Sequence, residues 1–168
     1  MKKCFACLVG LVAFIVTSLH ADIYHVSPNG GGKYPYRNWK DAAVTLQDAV
    51  DAAVKVGDDE AIVLVRKGVY KGTGVGPVVK IIRSLTLKSE SADPADVIVD
   101  GEGKRRCILV TLEEKGAKVS FEGITIKNGF TDATNGYGAG IYIDHTKVNA
   151  GEVTIQRCVI SDSSKTSP

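Results

Sequence analysis

Cysteine, histidine and net charge are all in short supply in this chain, and each shortage closes off a class of function. Of the four cysteines, Cys4 and Cys7 sit in the N-terminal apolar segment, which leaves Cys107 and Cys158 for the folded part. Two are too few for the disulfide framework of a small exported domain. Both fall where aligned strands carry apolar residues and on different strands, so both are expected as buried small hydrophobes, not as a bridge. His25 and His145 stand alone, without the spacing of metal ligands, and surface or packing roles are expected for them. Apolar runs are also short. Phe5 to Val16, broken by Gly10, falls below the ~20 residues that span a bilayer.

That run follows Lys2 and Lys3 and leads into Ser18-Leu19-His20-Ala21, the order of an export signal with a small residue before the cut. Residues 1–21 are therefore read as a signal peptide, residues 22–60 as an N-terminal strand and capping helix, and residues 61–168 as the body. Without the leader the chain carries 19 Lys plus Arg against 19 Asp plus Glu. That neutrality excludes the electrostatic footprint of a nucleic-acid binder. Lys104-Arg105-Arg106 is the one basic cluster, in a turn where solvated charges are expected. A secreted or cell-surface location follows, with no transmembrane segment in the mature chain.

One helix is legible. Asn38 or Asp41 offers a cap, Val44, Leu46, Ala49, Val50, Ala53 and Val54 form the apolar stripe, and Gly57 ends it. Beyond Gly57 the pattern changes to short alternating strands divided by Gly, Asp, Asn and Ser. Lys118 to Gly129 aligns without a gap on Glu152 to Ser163. Three columns of strands result. The first holds Ile62 to Val65, Val97 to Val99, Ile124 to Ile126 and Val159 to Ser161. The second holds Val78 to Ile82, Cys107 to Thr111 and Gly138 to Asp144. The third holds Ser84 to Lys88, Lys118 to Glu122 and Glu152 to Gln156. Returns of about 27 to 35 residues predict an all-β solenoid of about three turns. Leu85, Leu87, Val119, Phe121, Val153 and Ile155 are its predicted inward residues. The Ala-rich helix is the expected N-terminal cap. The chain stops just after a strand, so a longer parent protein or a second chain covering that edge is expected.

The order Tyr24-His25-Val26-Ser27-Pro28-Asn29-Gly30, then Lys67 to Tyr70, Asp100-Gly101 and Gly123 to Gly129, resembles the start of right-handed parallel β-helix proteins of the pectate-lyase-like fold. The resemblance covers nearly all of Ile23 to Ser163. It implies a fold shared by lyases, hydrolases, epimerases and adhesins, and so leaves activity open.

Lyases of this fold hold calcium on acidic outer-wall residues and use a nearby basic side chain to take a proton, which needs several oxygens converging from one face. The outward positions here are Ile98, Thr125 and Val159, then Asp100, Lys127 and Ser161, and in the second column Lys80, Leu109 and Tyr142. These assemble no acidic set. Asp132, Asp144 and Asp162 sit where Asp serves turns, and Asn128, aligned with Asp162, reads as a bend residue. Tyr34, Tyr36 and Trp39 form an aromatic group able to stack on sugars, with Trp39 expected under the helix. Gly30-Gly31-Gly32 lacks the strand–loop–helix context of a phosphate cradle. No catalytic residue, cofactor or metal is assigned, with calcium only under the lyase alternative. The expected function is an exported scaffold or binding module, adhesin-like, for a polysaccharide or cell-surface ligand. The alternative is the N-terminal part of an acidic-polysaccharide lyase with its catalytic turns beyond Pro168.

Overall fold

The computed structural model describes residues 21–57, 59–132, 136–144, 146 and 151–165. The proposed leader, apart from Ala21, lies outside them, as does His145. The chain opens with strand β1 (Ile23–Val26) and helix α1 (Leu46–Val56). It then runs through β2 (Ile62–Val65), β3 (Gly68–Lys71) and β4 (Val79–Ile81), and through β5 (Leu85–Ser89), β6 (Val97–Asp100) and β7 (Ile108–Thr111). Next come β8 (Ala117–Glu122), β9 (Thr125–Lys127), β10 (Phe130–Thr131) and β11 (Ile141–Asp144), then β12 (Gly151–Gln156), β13 (Val159–Ser161) and β14 (Ser164–Lys165). Among the described residues the fold is mostly β with one short helix, and every strand pairing is parallel.

Three sheets take the strands in rotation. Their orders are β1-β2-β5-β8-β12, β13-β9-β6-β3 and β11-β7-β4, with β10-β14 a small fourth pair. The predicted second and third columns agree with this pairing. The first needs a correction. Ile62–Val65 pairs with β1 and β5, and the strand that precedes Val97 is Gly68–Lys71. Only Tyr70 of that segment points its apolar bulk inward while Val69 is exposed, so its hydrophobic signal is weak beside that of Ile62 to Val65.

Register stacks like on like. Tyr24, Val63, Leu87, Phe121 and Ile155 form one continuous row across the five-stranded sheet, and Tyr70, Val99, Ile126 and Ile160 another across the four-stranded sheet. All are buried except the last of each row, where Ile155 is 43% and Ile160 is 50% exposed. Leu85, Leu87, Val119 and Phe121 are buried as expected, whereas Val153 is only partly buried and Ile155 is exposed.

Helix α1 lies against β1, β2 and β4 through Leu46, Ala49, Val50, Ala52 and Ala53. Val44 falls before it and is exposed. Its N-cap is Thr45, whose hydroxyl accepts from Asp48 N at 3.1 Å. Asn38 and Asp41 bond each other in the loop before it instead. Gly57 closes the helix in the left-handed region at φ 75°. Gln47 does for β4 what a neighbouring strand would. Its Oε1 accepts from Lys80 N at 2.7 Å and its Nε2 donates to Lys80 O at 3.2 Å. A side-chain amide thus satisfies an edge that would otherwise invite another chain.

Phe121 and Ile155 are register neighbours that differ in burial, so their truncation separates packing from pairing. Phe121→Ala is expected to cost about 3–5 kcal/mol, and Ile155→Ala under about 1.5 kcal/mol, since roughly half of the burial is missing. Urea midpoints of the two variants check this.

Candidate functional site

The loops that join the four-stranded sheet to the three-stranded sheet meet at one corner. There Val75, Gly76, Pro77, Lys104, Arg105, Arg106, Phe130, Thr131 and Asp132 line a cleft of about 290 Å³. Sequence alone predicts a solvated turn for the basic triplet, but both of its arginines are engaged by other loops. Arg105 Nη1 donates to the Gly74 carbonyl in the preceding loop. Arg106 donates to Gly138 O at 3.0 Å and Tyr137 O at 2.7 Å in the following one. The Arg106 guanidinium also lies 4.8 Å from the centre of the Tyr142 ring, which stacks on Tyr137. Thr131 is buried, and its Oγ1 and Arg105 Nε have no hydrogen-bond partner among the described residues. Two arginines are therefore held in fixed directions beside Phe130, with Lys104 exposed at the rim.

The outward rows assemble differently from a metal site. Asp100 sits in register between Lys71 and Lys127, and Lys71 Nζ pairs with Glu102 at 3.1 Å. Burial pushes the Asp100 carboxyl up. The Asn128 amide at 3.0 Å, the Glu102 N–H at 2.8 Å and the two lysines outweigh that and hold it below the usual carboxylate range. A carboxylate so engaged does not fit a calcium shell, which needs several free oxygens. No group of three His, Cys, Asp or Glu is placed to hold a metal among the described residues. Val69 precedes Ile98, Thr125 and Val159 in the neighbouring row, and Lys80, Leu109 and Tyr142 share a row as expected.

Asn128 and Asp162 both adopt left-handed backbone, φ 52° and 49°, as bend residues, though the Asn128 amide serves the Asp100 carboxylate and not a backbone donor. Asp144 accepts from Thr146 N at 2.9 Å, while Asp132 lines the cleft. Gly30 is a packing glycine, since a Cβ there would run into the Ala42 carbonyl. The aromatic group divides. Trp39 is not under the helix. It packs edge-on to His25 at 4.5 Å with Arg66 over its face at 3.8 Å, while Tyr34 and Tyr36 face α1.

Cys107 and Cys158 are both free. Cys107 is fully buried, and burial pushes its thiol up to about 11. Cys158 is only partly covered, because it falls in the outermost round. No protein-family model, curated protein or solved structure matches the chain.

Two outcomes follow. In the native protein near neutral pH a thiol reagent is expected to label Cys158 and to reach Cys107 only on unfolding, as peptide mapping after brief labelling will read. Because the Asp100 carboxyl is depressed, the stability it lends is complete above the ordinary carboxylate value of ~3.9 and disappears as pH falls through its own lower value. Asp100→Asn should therefore flatten the acid limb of a stability–pH curve between ~3.9 and that lower value.

Proposed function

We propose that this chain is an exported right-handed parallel β-helix module that works by binding, with an acidic carbohydrate held in the cleft at Lys104, Arg105 and Arg106. Rotation of the strands through three parallel sheets supports the β-helix reading. The apolar segment after Lys2 and Lys3 supports export.

The observation that carries the ligand assignment is the anchoring of both guanidinium groups to carbonyls of adjacent loops. Anchored side chains lose little rotamer entropy when a ligand arrives, so more of the contact energy appears as affinity. A planar guanidinium suits the oxygens of a carboxylate or sulfate, and Arg is the residue of choice for that geometry. Phe130 and Pro77 supply an apolar surface for the C–H face of a sugar ring. A scaffold function follows from the same plan, since stacked loops present a ligand surface on a rigid wall.

Binding of an anionic and a neutral polysaccharide of equal length, measured by affinity electrophoresis, tests this. The anionic polymer should bind, should be released by added salt, and should bind roughly tenfold or more weakly to Arg106→Ala, as expected for a charge-assisted hydrogen bond of about 1.5–3 kcal/mol. Equal retention of the neutral polymer would remove the anionic assignment. Appearance of the ultraviolet absorbance of an unsaturated uronate would replace binding with lyase chemistry.

A further inference from the structure

A second cleft, of about 190 Å³, opens between α1 and the loop that precedes it. Its walls are Tyr34 and Tyr36 on one side and Asp48, Asp51, Ala52 and Lys55 of the helix on the other. The helical residues share a face because they are spaced three, four and seven apart. The two rings meet edge to face, with centroids 6.0 Å apart and planes at 81°, and so form an aromatic corner. Lys55 Nζ already lies 5.0 Å from the centre of the Tyr34 ring.

We propose that this cleft binds an alkylammonium ion, quaternary in preference to primary, with Tyr34 and Tyr36 as its aromatic walls and Asp48 and Asp51 as its counter-charges. Three observations carry this. The faces of two tyrosines concentrate negative quadrupole at one corner, which attracts a cation and gives an anion nothing. Two carboxylates against one ammonium leave the cleft with one net negative charge. Lys55, seated over Tyr34, shows that the corner accommodates a cation, and a quaternary ion sheds its weak hydration more readily than a lysine does. Tyr36 is also held at φ 63°, costly for a bulky residue, by His25 N donating to its carbonyl at 2.8 Å. The Tyr36 phenol is pushed up in pKa, first by burial and then by Asp48 and Asp51, so the field of both carboxylates reaches the corner.

Calorimetric titration of the full chain with choline tests the site, with the neutral isostere that carries a tert-butyl group in place of trimethylammonium as control. Choline should bind, and the isostere should bind at least tenfold more weakly. Tyr34→Ala should weaken choline by a factor between about two and thirty. Tyr34 is 52% exposed, so this variant should keep the wild-type far-ultraviolet spectrum. Lys55→Met removes the internal competitor and should tighten choline. Phosphocholine separates two sources of the same cation: equal binding indicates a headgroup, rejection by Asp48 and Asp51 a free ion. Absence of choline binding, equal binding of the isostere, or choline binding untouched in a folded Tyr34→Ala protein would each overturn the proposal. Retention of the anionic polysaccharide by Tyr34→Ala is expected to stay at the wild-type level, so the two clefts stand or fall separately.

Discussion

Parallel pairing in strict register is the constraint on which the rest of this molecule depends. Each strand lies about 4.8 Å from its neighbour, so a side chain in one round rests on the side chain at the matching position in the next. Tyr24, Val63, Leu87, Phe121 and Ile155 touch in this way although each pair is separated by a full round of sequence. A slip of one residue would turn every member of such a row to solvent. The same rule acts outside. Lys71, Asp100 and Lys127 alternate in sign along one outer row, and Arg66 with Glu90 and Arg157 with Glu122 pair between rounds. Such exposed pairs contribute little energy each, but like charges at those positions would oppose the pairing the core requires.

Stacked rows bury their interior members and leave their ends to be covered by something else. At the first end the cover is α1, an alanine-rich helix slim enough to lie on the sheet edges, fixed there by the paired bonds between Gln47 and the Lys80 backbone. Turn chemistry then decides where a side chain is tolerated. Gly123, at φ 64°, is pressed against the Ala92 backbone, whereas its register partner Arg157 holds a left-handed φ of 50° and carries a full side chain that reaches Glu122. One backbone conformation thus serves two residues because only one of them has a neighbour in the way.

What sequence conveys well here is phase, and what it conveys poorly is identity of the neighbour. Alternation in Leu85, Leu87, Val119 and Phe121 marks the inward side directly, because period two and burial are the same signal. It does not say which sheet Ile62–Val65 joins, since that depends on whether the chain turns a corner before or after Lys67. The sequence pattern points to Asn38 or Asp41 as the cap of α1, whereas the backbone at Thr45, extended at φ −113° and ψ 153°, gives that place to Thr45. The basic cleft was least legible. Lys104 to Arg106 are visible as a cluster, but the carbonyls that fix them belong to residues about thirty positions away on both sides, at Gly74 and at Tyr137 and Gly138.

The division of labour between walls and loops has an electrostatic origin. A wall residue has register neighbours above and below, and Asp100 is answered there by Lys71, Lys127 and Asn128. A group satisfied on every side has little left to offer a ligand. At the corner the neighbours of Arg105 and Arg106 include backbone carbonyls of other loops and, for Arg106, the Tyr142 ring. Arg105 and Arg106 are oriented by such carbonyls, which fixes the direction of both guanidinium groups. The regular walls serve to hold that corner still.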